Sequence, residues 1–163
     1  MTKDGATEDA TAAGEALAAA LDLELLPLEG GLYRRTFSGA GASAILFMLI
    51  GGDFSAMHRL SSDEIYFHHA GSPLRMLLIH PDGGHRDVLI GSADVAGQLP
   101  QFVVPANHWQ GSSCDGPWAL VSTVVTPGFD WKDFVLGERD ALTALSPDAA
   151  GRIVELTRTQ PPL

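Results

Sequence analysis

Cysteine is almost missing from this chain. Cys114 is the only one, so no intrachain disulfide can form, a thiolate metal cluster is excluded, and the lone thiol reads as a packing residue. Basic residues are scarce too: ten Lys and Arg stand against twenty Asp and Glu, for a net charge of −10. That balance argues against a nucleic-acid or anionic-membrane surface and makes a small-molecule substrate or ligand, or a protein, the expected partner. No apolar run approaches the ~20 residues that a membrane-spanning helix needs. The opening residues, MTKDGATEDATAAGEALAAAL, lack the basic start and apolar centre of a signal peptide, so a cytoplasmic location is expected. There is no linker, repeat or low-complexity segment, and residues 1–163 read as one domain. What remains is 45% apolar and 18% charged, the composition of a globular chain large enough to bury a full core.

Thr7–Leu21 is alanine-rich, with Leu17 and Leu21 four apart, and predicts a helix with one apolar stripe. Leu23–Leu28 reads as extended and closes at a Gly30-Gly31 turn. Strands are predicted over Leu32–Phe37, Ala44–Ile50, Ser55–Leu60, Glu64–Ala70, Leu74–His80, Arg86–Ile90, Gln101–Val104 and Trp118–Thr126, punctuated by Gly, Pro and Asp. Many short strands at such spacing indicate an all-β sandwich or barrel rather than alternating β-α units. Ser146-Pro147-Asp148 reads as an N-cap, a first-turn proline and an acidic residue that open a terminal helix over AAGRIVELTR.

Chemistry concentrates in GDFSAMHRLSSDEIYFHHAG, residues 52–71. Side chains alternate along a strand, so His58 and Leu60 share one face, and Glu64, Tyr66 and His68 share one face of the next strand. With Ser61-Ser62-Asp63 as a turn between neighbouring strands, one barrel wall would carry an imidazole, a carboxylate, a phenol and a second imidazole. Such a set suits zinc, manganese, iron or nickel, or acid–base chemistry without metal. The alternative is a hydrogen-bonded couple inside a small barrel.

Two spacings carry a resemblance. Gly52, His58, Leu60, Glu64 and Gly71 resemble the first cupin motif, G-x5-H-x-H-x3-E-x6-G, with Leu60 in place of the second histidine. Pro105-Ala106-Asn107-His108-Trp109-Gln110 resembles the second motif, P-x-G-x-x-H, with Asn107 in the glycine slot and Gln110 in the last histidine slot. HRLSSDE, HPDG, VPANHWQ, VVTPGFDWKDF and GGLYRRTF together resemble an uncharacterised family of small single-domain cupins, over roughly residues 30–136. The resemblance implies a double-stranded β-helix (jelly-roll barrel) with flanking N- and C-terminal helices, a pocket between two sheets, and a homodimer. It implies no reaction.

It also implies a ligand set, of which His58, Glu64 and Gln110 remain here. Leucine cannot ligate and an amide oxygen is a weak neutral ligand, so a divalent metal (Zn, Fe, Mn or Ni) has a weaker site than three histidines would give. Without metal, His58 paired with Glu64 suits proton abstraction beside a carbonyl, with Tyr66 and His68 as further catalytic candidates. Arg34 and Thr36 share one face of their strand and Arg35 takes the other. Whichever arginine faces the pocket would hold a substrate carboxylate or phosphate, and Arg34 and Thr36 are the pair expected there. Leu60, Trp109 and Gln110 are expected to contact substrate, with Leu46, Met48 and Val104 as apolar liners. Trp118, Phe129 and Trp131 read as core or interface residues. His69, His80 and His85 read as outward, and His108 as a loop residue at the rim.

The expected activity is a small-molecule isomerase or epimerase, cyclase or lyase acting through His58 and Glu64. A non-catalytic metabolite-binding cupin and a metal-dependent oxygenase or decarboxylase are the alternatives.

Overall fold

The computed structural model describes residues 3–159. Two six-stranded sheets face each other. The first runs β1 (Glu24–Leu25), β2 (Leu32–Ser38), β3 (Ser43–Ile50), β11 (Trp118–Thr126), β5 (Asp63–Gly71), β9 (Gln101–Val104). The second runs β12 (Val135–Leu136), β4 (Phe54–Arg59), β10 (Trp109–Cys114), β6 (Leu74–Ile79), β7 (His85–Ile90), β8 (Gln98–Leu99). Pairing is antiparallel except between β7 and β8. Strands distant in sequence lie side by side, β3 with β11 and β4 with β10, as a jelly-roll barrel requires. Among the described residues no helix is long and apolar enough to cross a membrane.

Helices cover the middle of each sheet's outer face, which explains why β3 (SAILFMLI) and β6 (LRMLLI) are almost continuously apolar. Phe47, Leu49, Met76, Leu78 and Val121 fill the space between the sheets. Helix α1 (Lys3–Ala20) covers the first sheet, where Ala18 packs with Met48 and Leu120. Met48 therefore faces α1 and does not line the pocket, contrary to the sequence expectation. Helices α2 (Arg139–Leu145) and α3 (Ala150–Glu155) cover the second sheet, setting Leu142, Ile153 and Leu156 against Met57, Leu77 and Ile79.

Besides the unforeseen two-residue strands β8 and β12, three elements depart from the sequence reading. The segment Leu23–Leu28 contributes only the two residues of β1, after which the chain turns sharply. The C-terminal region holds two helices rather than one. Ser146 does not cap: its hydroxyl meets Nδ1 of His85 at 3.1 Å, and a 3-10 turn, Pro147–Ala149, intervenes before α3. The third is β10, unforeseen because WQGSSC lacks the branched residues that mark a strand. It lies in the middle of the second sheet nonetheless. A Cβ at Gly111 would lie 2.7 Å from Sδ of Met57 and 3.1 Å from Met57 N and Ser55 O, so glycine is what lets β4 and β10 pack.

Gly71 ends β5 at φ +82, and a Cβ there would lie 2.5 Å from the carbonyl oxygen of Trp118. Left-handed backbone costs a non-glycine residue about 1–3 kcal/mol, and the carbonyl belongs to rigid sheet. Gly71→Ala is expected to lower stability by at least that amount in urea unfolding. A change within about 0.5 kcal/mol, typical of a neutral surface substitution, would contradict this.

Candidate functional site

The turn Ser61–Ser62 carries the chain from one sheet to the other, so β4 and β5 are not neighbours on one wall. His58 on β4 and Glu64 on β5 instead approach from opposite sheets. Gln110, opposite His58 in the β4–β10 pair, spans the gap: its Nε2 donates to Oε2 of Glu64 at 2.7 Å. The motif segments are tied at the same end. Asn107 N donates to Leu60 O at 2.7 Å and Ala106 N to Asp63 Oδ1 at 2.8 Å. Asn107 holds φ 66, left-handed backbone that asparagine tolerates in a glycine slot.

A second carboxylate completes the site. Leu28, Gly30 and Gly31 adopt φ of 67, 91 and 75, folding the chain after β1 into a tight turn that lays Glu29 over β4. Ala56 N donates to Glu29 O at 2.9 Å, and Ser55 Oγ to Glu29 Oε1 at 2.6 Å. Glu29 Oε2 stands 4.0 Å from Nε2 of His58. The register between β4 and β10 slips between Gln110 and Ser112, a bulge that lets both Ser55 and His58 reach Glu29 although they are an odd number of residues apart. Sequence reasoning missed Glu29. Its signal was a carboxylate abutting two glycines, which build a fixed turn rather than a solvated loop.

The imidazole of His58 is 2% exposed and lies nearly parallel to Phe134, centroids 5.2 Å apart at 17°. Its Nδ1 is 2.7 Å from Ala56 O. A carbonyl can only accept, so Nδ1 carries the proton, and in the neutral ring Nε2 keeps a lone pair. That nitrogen faces Glu29 and the cleft.

Burial pushes the Glu64 carboxyl above the usual carboxylate range; the charge of Glu29 adds to this, while His58, Thr123 and Gln110 pull it back. The Gln110 amide suits either state. Its NH2 donates to a carboxylate, and after a half-turn its oxygen would accept from a carboxylic acid.

The cleft is narrow, a cavity of about 50 Å³ that is continuous with an open mouth. Glu29, His58, Glu64 and Thr123 give it polarity, and Leu60, Phe129, Trp131 and Phe134 an apolar wall. Phe129, Trp131 and Phe134 pack edge to face, centroids 5.0–6.5 Å apart.

Other expected residues lie elsewhere. Tyr66 and His68 keep the face of Glu64, but each step of two residues moves about 7 Å along the strand, so they sit ~7 and ~14 Å deeper. Tyr66 is packed in the core between the sheets, and burial, then Glu64 and Glu29, push its phenol well above the usual range, holding it protonated. His68 Nε2 lies 3.2 Å from Ser72 O. On β2, Arg35 stands opposite the inward Ile45, whereas Arg34 stands opposite Leu46 and pairs with Asp22 at 3.7 Å. Arg35, not Arg34, lines the cleft. A register slip between Arg35 and Phe37 leaves Thr36 exposed, donating to Ala44 O. Trp109 turns to the helix-covered outer face, with Arg59 4.9 Å from its ring centre, because Gln110 takes the inward direction. His108 meets His80 at 3.2 Å, and His69 meets Ser122 at 2.8 Å.

The residues present do not fit a divalent cation. Leu60 fills one ligand position, Gln110 turns its NH2 rather than its oxygen toward Glu64, and among the described residues no three His, Cys, Asp or Glu side chains are grouped to hold a metal ion.

Residues 15–137 match the family described as Cupin superfamily (DUF985). The structure is similar to that of protein SO0799 from Shewanella oneidensis, at TM-score 0.83 and 33% identity, covering 90% of this chain and 98% of that one. A hypothetical protein from Leishmania major aligns at TM-score 0.80 and 29% identity, over 88% of this chain and 97% of that one. The uncharacterized protein YML079W of Saccharomyces cerevisiae is 26% identical over 140 residues, 80% of this chain and 69% of that protein. Oxalate decarboxylase from Bacillus subtilis shares the fold alone, at TM-score 0.59 and 13% identity over 86% of this chain and 39% of that one.

A carboxyl whose titration is raised by folding binds its proton more tightly folded than unfolded. As pH falls from neutral through the raised value of Glu64, this residue therefore adds stability until the ordinary carboxylate range is passed. Glu64→Gln removes that gain and keeps an acceptor for Gln110. Urea midpoints of the two proteins are expected to shift in favour of wild type as pH falls. A constant difference, or the opposite slope, would contradict the assignment.

Proposed function

The chain belongs to the DUF985 family of the cupin superfamily, and on that premise we propose that it is a small-molecule enzyme that moves a proton beside a carbonyl. An isomerase or epimerase fits most simply, and a cyclase or lyase uses the same first step. The observation that carries the reading is the Nδ1 contact of His58 with Ala56 O at 2.7 Å, which leaves Nε2 as a base inside the cleft.

In this mechanism Nε2 takes a proton from the carbon next to the substrate carbonyl. The C–H electron pair becomes the C=C bond of an enolate, and charge moves to oxygen. Glu29, 4.0 Å from Nε2, stabilises the imidazolium that forms. Glu64, inclined by burial toward its protonated form, donates a hydrogen bond to the enolate oxygen. Return of the proton to the other face gives an epimer, and to the neighbouring carbon an isomer. Loss of a β-substituent gives a lyase product. Phe134, stacked on the His58 ring, shields one face of the imidazolium from water.

The same aromatic wall also supports a binding protein without turnover. Exchange of enolisable C–H for deuterium separates the two, followed by proton NMR in D2O with a panel of 2-oxo acids. Wild type is expected to accelerate exchange, and His58→Ala to reduce it by about 10²–10⁴-fold, the usual contribution of a general base. Glu29→Gln should reduce it less. Exchange unaffected by His58→Ala would sink the catalytic reading.

A further inference from the structure

Arg35 is the one arginine among the described residues left without a partner. Arg34, Arg75, Arg152 and Arg158 form ion pairs with Asp22, Asp87, Glu155 and Asp53. Arg139 donates to Thr157, and Arg59 and Arg86 lie over the rings of Trp109 and Phe102. Among the described residues the Arg35 side chain has no ion pair, hydrogen bond or ring contact, in a chain where acidic residues outnumber basic ones twenty to ten. Carboxylates to neutralise it were plentiful, and none is placed on it.

Its position gives the unpaired charge a use. Arg35 is exposed on the inward face of β2 and lines the cleft, while His58 and Glu64 are buried at its inner end. Tyr33, Phe129 and Trp131 line the same cleft. The Glu29 carboxylate beside His58 disfavours a carboxylate or phosphate head group at the inner end, whereas a guanidinium at the mouth offers a planar fork of donors matched to either. We infer that the substrate is an amphipathic organic anion: its carboxylate or phosphate is held by Arg35 at the mouth, and the rest of the molecule extends inward past Trp131 and Phe129 toward His58. This rests on the reading of the cleft as a proton-transfer site and adds the substrate class and the residue that selects it.

Phenylpyruvate, its uncharged methyl ester and phenyl phosphate serve as probes, with binding read from tryptophan fluorescence, which Trp131 in the cleft reports. Wild type should bind at least one of the anions about tenfold or more tightly than the ester, the effect of one charge-assisted contact. Arg35→Ala should erase that preference with the ester unchanged, and Arg35→Lys should restore part of it. The tighter anion identifies the head group. Equal binding of acid and ester, binding of none of the three, or a preference that survives Arg35→Ala overturns the inference. Deuterium exchange is scored separately: an Arg35-dependent preference without His58-dependent exchange would uphold the anion site and reject the proton-transfer reading.

Discussion

Gln110 on β10 donates to Glu64 on β5 at 2.7 Å, a buried polar contact that joins the two sheets at the working end of the barrel. A carboxyl this buried is costly unless hydrogen-bonded, and the requirement propagates outward. Gln110 has to point inward, so Trp109 points outward and becomes part of the layer beneath α2 and α3. Gly111 follows because β4 passes too close for a side chain. In this central strand Gln110 thus answers to a buried acid and Gly111 to a close backbone.

The second constraint is the turn that delivers Glu29. Arg158, far along the chain, donates to Asp53 Oδ1 at 2.7 Å and to Phe54 O at 2.6 Å, and lies 3.9 Å from the ring centre of Phe54. Asp53 Oδ2 in turn accepts from Gly31 N at 2.8 Å. The C-terminal segment therefore clamps the turn against the start of β4 and fixes the carboxylate beside His58. Rigidity here is what a positioned acid–base group needs.

Most strands were legible because their apolar pattern is strong, and motif spacing marked His58 and Glu64, which line one cleft, although the carboxylate beside His58 is Glu29 and the partner of Glu64 is Gln110. Three features were not legible, for different physical reasons. Strand β10 follows the needs of a buried acid and a close backbone, so its own residues carry no strand pattern. The choice between Arg34 and Arg35 depends on register against β3, and a one-residue slip near Thr36 reverses faces. The setting of β4 and β5 in opposite sheets depends on where the short turn at Ser61–Ser62 crosses the barrel, which alternation along each strand cannot reveal. Alternation put Tyr66 and His68 on the correct face, but it says nothing of depth.

Proton transfer in the cleft depends on the tautomer of His58. Long-range proton–nitrogen correlation NMR on ¹⁵N-labelled protein reads it directly, with His58→Gln assigning the signals. A neutral ring protonated at Nδ1, with an unprotonated Nε2, is the predicted result. A ring protonated at Nε2 would contradict it, because the nitrogen facing the cleft would then have no lone pair with which to act as a base.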